Sequence, residues 1–81
     1  MRVKFYGLTK EAAAKVENLC EKEKVNIIVQ NDEFDGLVDI EINQFEKYII
    51  TVSLIKDDIV VHGMETRTHF NISEVERMSV I

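Results

Sequence analysis

The chain has 81 residues, 46% of them hydrophobic and 31% charged, with a formal net charge of −5, no proline, three glycines and a single cysteine. A chain of this length makes one domain with a small core, burying roughly 60% of the surface its unfolded form exposes, and its apolar content excludes compositional disorder. No apolar run approaches the roughly 20 residues that span a bilayer, and a lone Cys20 excludes an internal disulfide and a thiolate metal cluster.

Charge is divided unevenly. Residues 1–24 carry six Lys/Arg and four Glu, whereas residues 25–81 carry four Lys/Arg and eleven Asp/Glu. An acidic majority repels phosphate backbones and forgoes the counterion release that drives such binding, so nucleic acid is not the expected partner. Met1-Arg2-Val3-Lys4-Phe5 leads into a strand-like stretch and then a polar helix, not an apolar leader segment. The cytoplasm is the expected compartment.

In chain order, "RVKFY" reads as a strand ending at Gly7. Thr9 is a good N-cap, with Leu8 placed to begin a hydrophobic staple and Glu11 in the first turn. Leu8, Ala12, Val16, Leu19 and Cys20 recur at helical spacing, with Lys10, Glu11, Lys15, Glu17, Glu21 and Lys22 opposite, which predicts an amphipathic helix over 10–23. "VNIIVQ" alternates Val25, Ile27 and Val29 inward, "NDEFDG" is a turn, and "LVDIEIN" sets Val38, Ile40 and Ile42 against Asp39 and Glu41. "KYIITVSLI", with Tyr48, Ile50, Val52 and Leu54 on one parity and Ile49, Thr51, Ser53 and Ile55 on the other, has the strongest β-propensity and is expected to be the central strand. After the polar turn Lys56-Asp57-Asp58, "IVVHGMETRTHF" is expected to return as a strand interrupted or bulged at Gly63. Ser73 followed by Glu74 and Glu76 suggests one helical turn before a last strand through Met78 and Val80. The predicted fold is α+β: one amphipathic helix packed on a mostly antiparallel sheet of about five strands, in a single domain over 1–81, with order β-α-β-β-β-β.

Three groups of side chains bear on chemistry. His62, Glu65 and His69 could supply ligands or an acid–base pair, but the segment reads as strand. There Glu65, Arg67 and His69 share one face, and a cation between two ligands opposes a metal. The expectation is a contact edge carrying Glu65, Arg67 and His69, with Asp39 and Glu41 as further candidate surface residues, and no catalytic, cofactor or metal site. Cys20, on the apolar face near a helix C-terminus, reads as structural rather than reactive. Asp32, Glu33 and Asp35 miss the EF-hand spacing. Together with Asp39, Glu41, Asp57 and Asp58 they form the basis of an alternative in which an acidic face mimics nucleic acid. A second alternative is a nucleic-acid module using Arg2, Lys4, Lys10, Lys15, Lys22 and Lys24. No nucleophile elbow, phosphate loop or Cys–His pair is present, and Asn71-Ile72-Ser73, though a sequon, is sufficiently explained as a turn.

β-branched residues on both parities of "VNIIVQ" and "YIITVSLI" predict a sheet apolar on two sides, which one helix cannot cover. Self-association, as a homodimer, or a protein partner would supply the rest. The closing rhythm of "IKDDIVVHGMETRTHFNISEVERMSVI" resembles the last part of several unrelated small barrels, Sm-like, SH3-like and bacterial pleckstrin-homology-like. It covers about a third of the chain, distinguishes none of them and transfers no site. The expectation is a small non-enzymatic binding or regulatory protein, of a kind that also suits phages and other mobile elements, acting without cofactor through a protein surface.

Overall fold

A computed structural model describes residues 2–43 and 50–80. Its elements are β1 (Arg2–Leu8), α1 (Lys10–Glu23), β2 (Ile27–Asn31), β3 (Val38–Asn43), β4 (Thr51–Ile55), β5 (Asp58–His62), β6 (Arg67–Asn71), a 3₁₀ turn (Ile72–Glu74) and β7 (Arg77–Val80). The α+β class is as expected, with a single helix among the described residues. The mostly antiparallel sheet of about five strands is only roughly so: among the described residues the strands divide into two antiparallel sheets, β2-β3-β1-β7 and β4-β5-β6. No helix among the described residues is long and apolar enough to cross a membrane.

The helix forms where the sequence predicts it, and each end has a local cause. Thr9 Oγ1 accepts from Ala12 N at 3.2 Å, satisfying one of the donors that a helix start leaves open. Ala12, Ala13, Val16, Leu19 and Cys20 form the buried stripe. At the C-terminus Lys24 takes a left-handed conformation, φ 59°, and Val25 N returns to the Cys20 carbonyl at 2.9 Å, the reversal that most often falls to glycine.

One core joins both sheets and the helix. Val3 and Phe5 from β1, Val38, Ile40 and Ile42 from β3, the helical stripe, Ile50, Ile59 and Val61 from β5 and Phe70 from β6 make a continuous buried cluster. Phe5 and Phe70 meet edge to face with ring centroids 5.7 Å apart, so the contact between sheets rests on an aromatic pair in its favoured geometry.

Several expectations change. "KYIITVSLI" is not central: its described part is β4, an edge strand, while Tyr48 and Ile49 lie outside the described residues. Strong β-propensity marks a strand without saying whether one neighbour or two will pair with it. "IVVHGMETRTHF" is interrupted at Gly63 rather than bulged, and the interruption is a full turn: it forms two strands, β5 and β6, closed by residues 63–66, with Gly63 N donating to the Thr66 carbonyl at 2.7 Å. The bulge lies instead in β1, where the register shifts between Phe5 and Leu8 and Gly7 adopts φ 66°. "VNIIVQ" is shortened to a strand starting at Ile27, which lies at a sheet edge among the described residues, and Val29, of inward parity, is 38% exposed there. The short helical turn forms as expected and is capped by Asn71: its side chain accepts from Ser73 N at 2.9 Å, and Glu74 Oε2 accepts from Asn71 N at 3.0 Å, a reciprocal capping box.

Candidate interaction surface

In the second sheet the register aligns Thr51, His62 and Arg67 in one row, Ser53, Val60 and His69 in the next, and Ile55, Asp58 and Asn71 in the third. Residues directly opposite share a face, so these nine make the outer face, and Val52, Leu54, Ile59, Val61, Thr68 and Phe70 make the face toward the core. Arg67 and His69 therefore stand together as the parity argument requires, both exposed, with His62 half-buried beside Arg67. Glu65 does not join them. It sits in the turn before β6 begins, and its backbone N–H points to Glu23. Among the described residues no three His, Cys, Asp or Glu side chains come together as a metal would need.

The turn is organised from the far end of the helix. Glu23 Oε1 accepts from Glu65 N at 2.8 Å, Thr66 N at 2.9 Å and Thr66 Oγ1 at 2.8 Å, while Oε2 accepts from Met64 N at 3.0 Å. Consecutive N–H groups converging on an anion make a backbone nest. These donors, that of Glu65 first and the Thr66 hydroxyl next, hold the Glu23 carboxyl below its ordinary value. A Cβ on Gly63 would stand 2.4 Å from Glu23 Cδ and 2.5 Å from Cγ, which is why glycine occupies that position at an unremarkable φ. Sequence reasoning found Gly63 but missed Glu23. The available signal was an acid in the last turn of a helix, where the macrodipole disfavours it.

Asp39 and Glu41, the other candidate residues, lie on the outer face of the first sheet and are engaged within the chain. Asp39 Oδ1 accepts from Gly7 N at 2.8 Å, across the bulge of β1. Glu41 pairs with Arg2 at 2.8 Å, and Arg2 Nε also reaches Asn43 Oδ1 at 3.1 Å. Lys4 and Arg77 flank the Tyr6 ring, 4.7 and 4.1 Å from its centroid. The predicted surface is thus divided between two sheets, and two of the six candidate cations, Arg2 and Lys4, are committed to this face. A third, Lys15, donates from α1 to the His69 carbonyl at 3.1 Å. Of the acidic groups in the β2–β3 turn, Asp32 accepts from Phe34 N at 2.8 Å and Asp35 N at 3.2 Å, closing the turn on itself.

Cys20 is buried in the core cluster, and burial, with the nearby Glu23 carboxylate adding to it, pushes its thiol up to about 11. This matches the structural role expected of it.

Among the described residues several large apolar side chains are also exposed. Phe34 and Met64 project singly from turns, which is ordinary for a protein surface. β4 is different in kind. Leu54, of core-side parity, is 64% exposed, and Ile55 on the outer face is 56% exposed, on a strand that contains no charge, proline or glycine. The chain matches no protein-family model, no curated protein and no solved structure at the level of significance required.

Proposed function

We propose that the chain is a non-enzymatic binding or regulatory protein acting through a protein–protein surface, and that this surface is the β4 margin of the second sheet. The observation that supports it is an uncharged edge strand with Leu54 and Ile55 turned out to solvent, in a setting where natural sheets normally guard an edge with charge, proline, a bulge or a covering element. An extended segment laid against residues 51–55 would gain main-chain hydrogen bonds along the strand and cover Leu54 with its alternate side chains, the mode of recognition known as strand addition. Arg67 and His69, on β6 at the opposite edge of the same sheet, and Glu65 in the β5–β6 turn lie away from that margin.

The test is a photo-crosslinking side chain introduced in place of Ser53, at the middle of the strand, in the source cell. A discrete crosslinked species that disappears when Leu54→Lys is added is the expected result. A probe that yields no protein adduct from Ser53, while the protein is folded and abundant, overturns the reading.

A further inference from the structure

Among the described residues four strands lie at sheet edges, β2 and β7 in the first sheet and β4 and β6 in the second. They differ in what meets the open side. α1 packs against β6, with Lys15 bonded to the His69 carbonyl. β7 carries Arg77, the kind of charge that discourages pairing. β2 is uncharged, but its second half is Gln30 and Asn31. β4 keeps unbroken register with β5 over all five residues, has no charge, and turns Leu54 out past the end of the core.

The sequence of β4 also fits itself. We propose that β4 pairs antiparallel with β4 of a second copy of this chain about a two-fold axis at Ser53, joining two three-stranded sheets into one continuous sheet. This rests on the edge-binding reading above and names its partner. An isologous pairing places each residue opposite its mirror position: Ser53 meets Ser53 of the other copy, Val52 meets Leu54, and Thr51 meets Ile55. Val52 and Leu54 both face the core side, opposite Val61 and Ile59 of β5. The two copies therefore bring four apolar side chains together on one face, covering Leu54 by extending the existing core. On the other face two small hydroxyls meet at the axis, flanked by Thr51 with Ile55. The same operation on β2 about Val29 sets Ile28 against Gln30 and Ile27 against Asn31, mixing apolar side chains with amides.

Charge favours the same site. Two copies each carrying −5 repel, and they can approach closely only where charge is sparse. Residues 51–55 carry none, and the charged turn Lys56-Asp57 lies at one end of the strand. The two-fold places the two copies of that turn at opposite ends of the joined strands, roughly 20 Å apart for six residues of strand, beyond the Debye length of about 8 Å at physiological ionic strength. One strand pair and a small apolar cluster make a modest interface, below about 1,200 Å², so association is concentration-dependent.

Sedimentation of the whole chain across a wide concentration series reads this directly. The wild-type mass is expected to rise from 9.4 kDa toward twice that value. Leu54→Lys is expected to weaken association at least tenfold, while Ile28→Lys on the β2 edge leaves it unchanged. Register is read by cysteine substitution. Opposed Cα atoms in an antiparallel pair are about 4.5–5.5 Å apart, within the span a disulfide accepts. Mild oxidation should therefore couple Ser53→Cys into a covalent dimer and leave Thr51→Cys uncoupled. The proposal is overturned if the wild type stays at 9.4 kDa throughout, if Leu54→Lys associates as the wild type does, or if the two cysteine variants couple equally. A monomeric chain whose Ser53 crosslinker captures a different protein overturns the self-pairing and leaves the edge-binding reading standing. A monomeric chain with no crosslink overturns both.

Discussion

Thr66 delivers both its backbone N–H and its hydroxyl to the same oxygen of Glu23, at 2.9 and 2.8 Å, across 43 residues of sequence. With Met64 and Glu65 adding two more N–H donors, the β5–β6 turn is shaped around a carboxylate at the end of α1.

That carboxylate makes the stability of the molecule pH-dependent in a definite direction. Its folded-state value is lowered from the ordinary 4.5. The contribution of the latch is therefore complete above the unfolded value and is lost as pH falls through the folded one. Urea midpoints of wild type and Glu23→Gln are expected to differ clearly at pH 7 and to converge as the solution is acidified below the ordinary carboxylate range.

Gly63 and Glu23 should behave as one unit. Gly63→Ala puts a methyl group where Glu23 Cγ and Cδ already stand, so its cost is mostly the eviction of the carboxylate. In a Glu23→Ala background the same substitution should cost little. A double-mutant cycle by denaturant unfolding checks this, and additive effects would show that the turn holds its shape without the helix.

Gly7→Ala meets two obstacles at once. φ 66° costs a residue with a side chain about 1–2 kcal/mol, and its Cβ would fall 2.5 Å from Glu76 Cγ. Because Glu76 is exposed and its side chain can swing aside, the expected loss of stability is about that of the backbone strain. Amide exchange should locate it at the β1–β7 pairing, beginning with the Glu76 N–H that now bonds to the Tyr6 carbonyl at 2.8 Å.

Cys20 is expected to resist alkylation in the folded protein. Burial in the core and a thiol pushed up to about 11 leave almost no thiolate at neutral pH. Labelling should proceed at the global unfolding rate and accelerate in urea in step with loss of structure.

How much of this was legible follows the range of each interaction. α1 was readable because its cap, Thr9 to Ala12, and its stripe from Ala12 to Cys20 are set by residues within a few turns of one another. β3 was readable because Val38, Ile40 and Ile42 alternate strictly with acids. The division into two sheets was not, since it depends on Phe70 reaching Phe5, and periodicity carries no information about which strands pair. The position of β4 failed for the same reason, its composition suiting an interior strand and an exposed edge alike. Of the candidate surface, Arg67 and His69 came together because parity is local. Glu65 departed because its N–H was claimed by a residue 42 positions earlier, and Asp39 because Gly7 turned an amide toward it.

The placement of β1 between β3 and β7 has a consequence for synthesis. Val3 pairs on one side with Ile42 and on the other with Val80, so the second neighbour of β1 is made well after the first. Until residue 80 leaves the ribosome, the Val3–Tyr6 margin is an open strand edge in a nascent chain, and closing a loop of that length is slow relative to local folding. The molecule passes through an interval in which it offers a second pairing edge that the finished protein conceals.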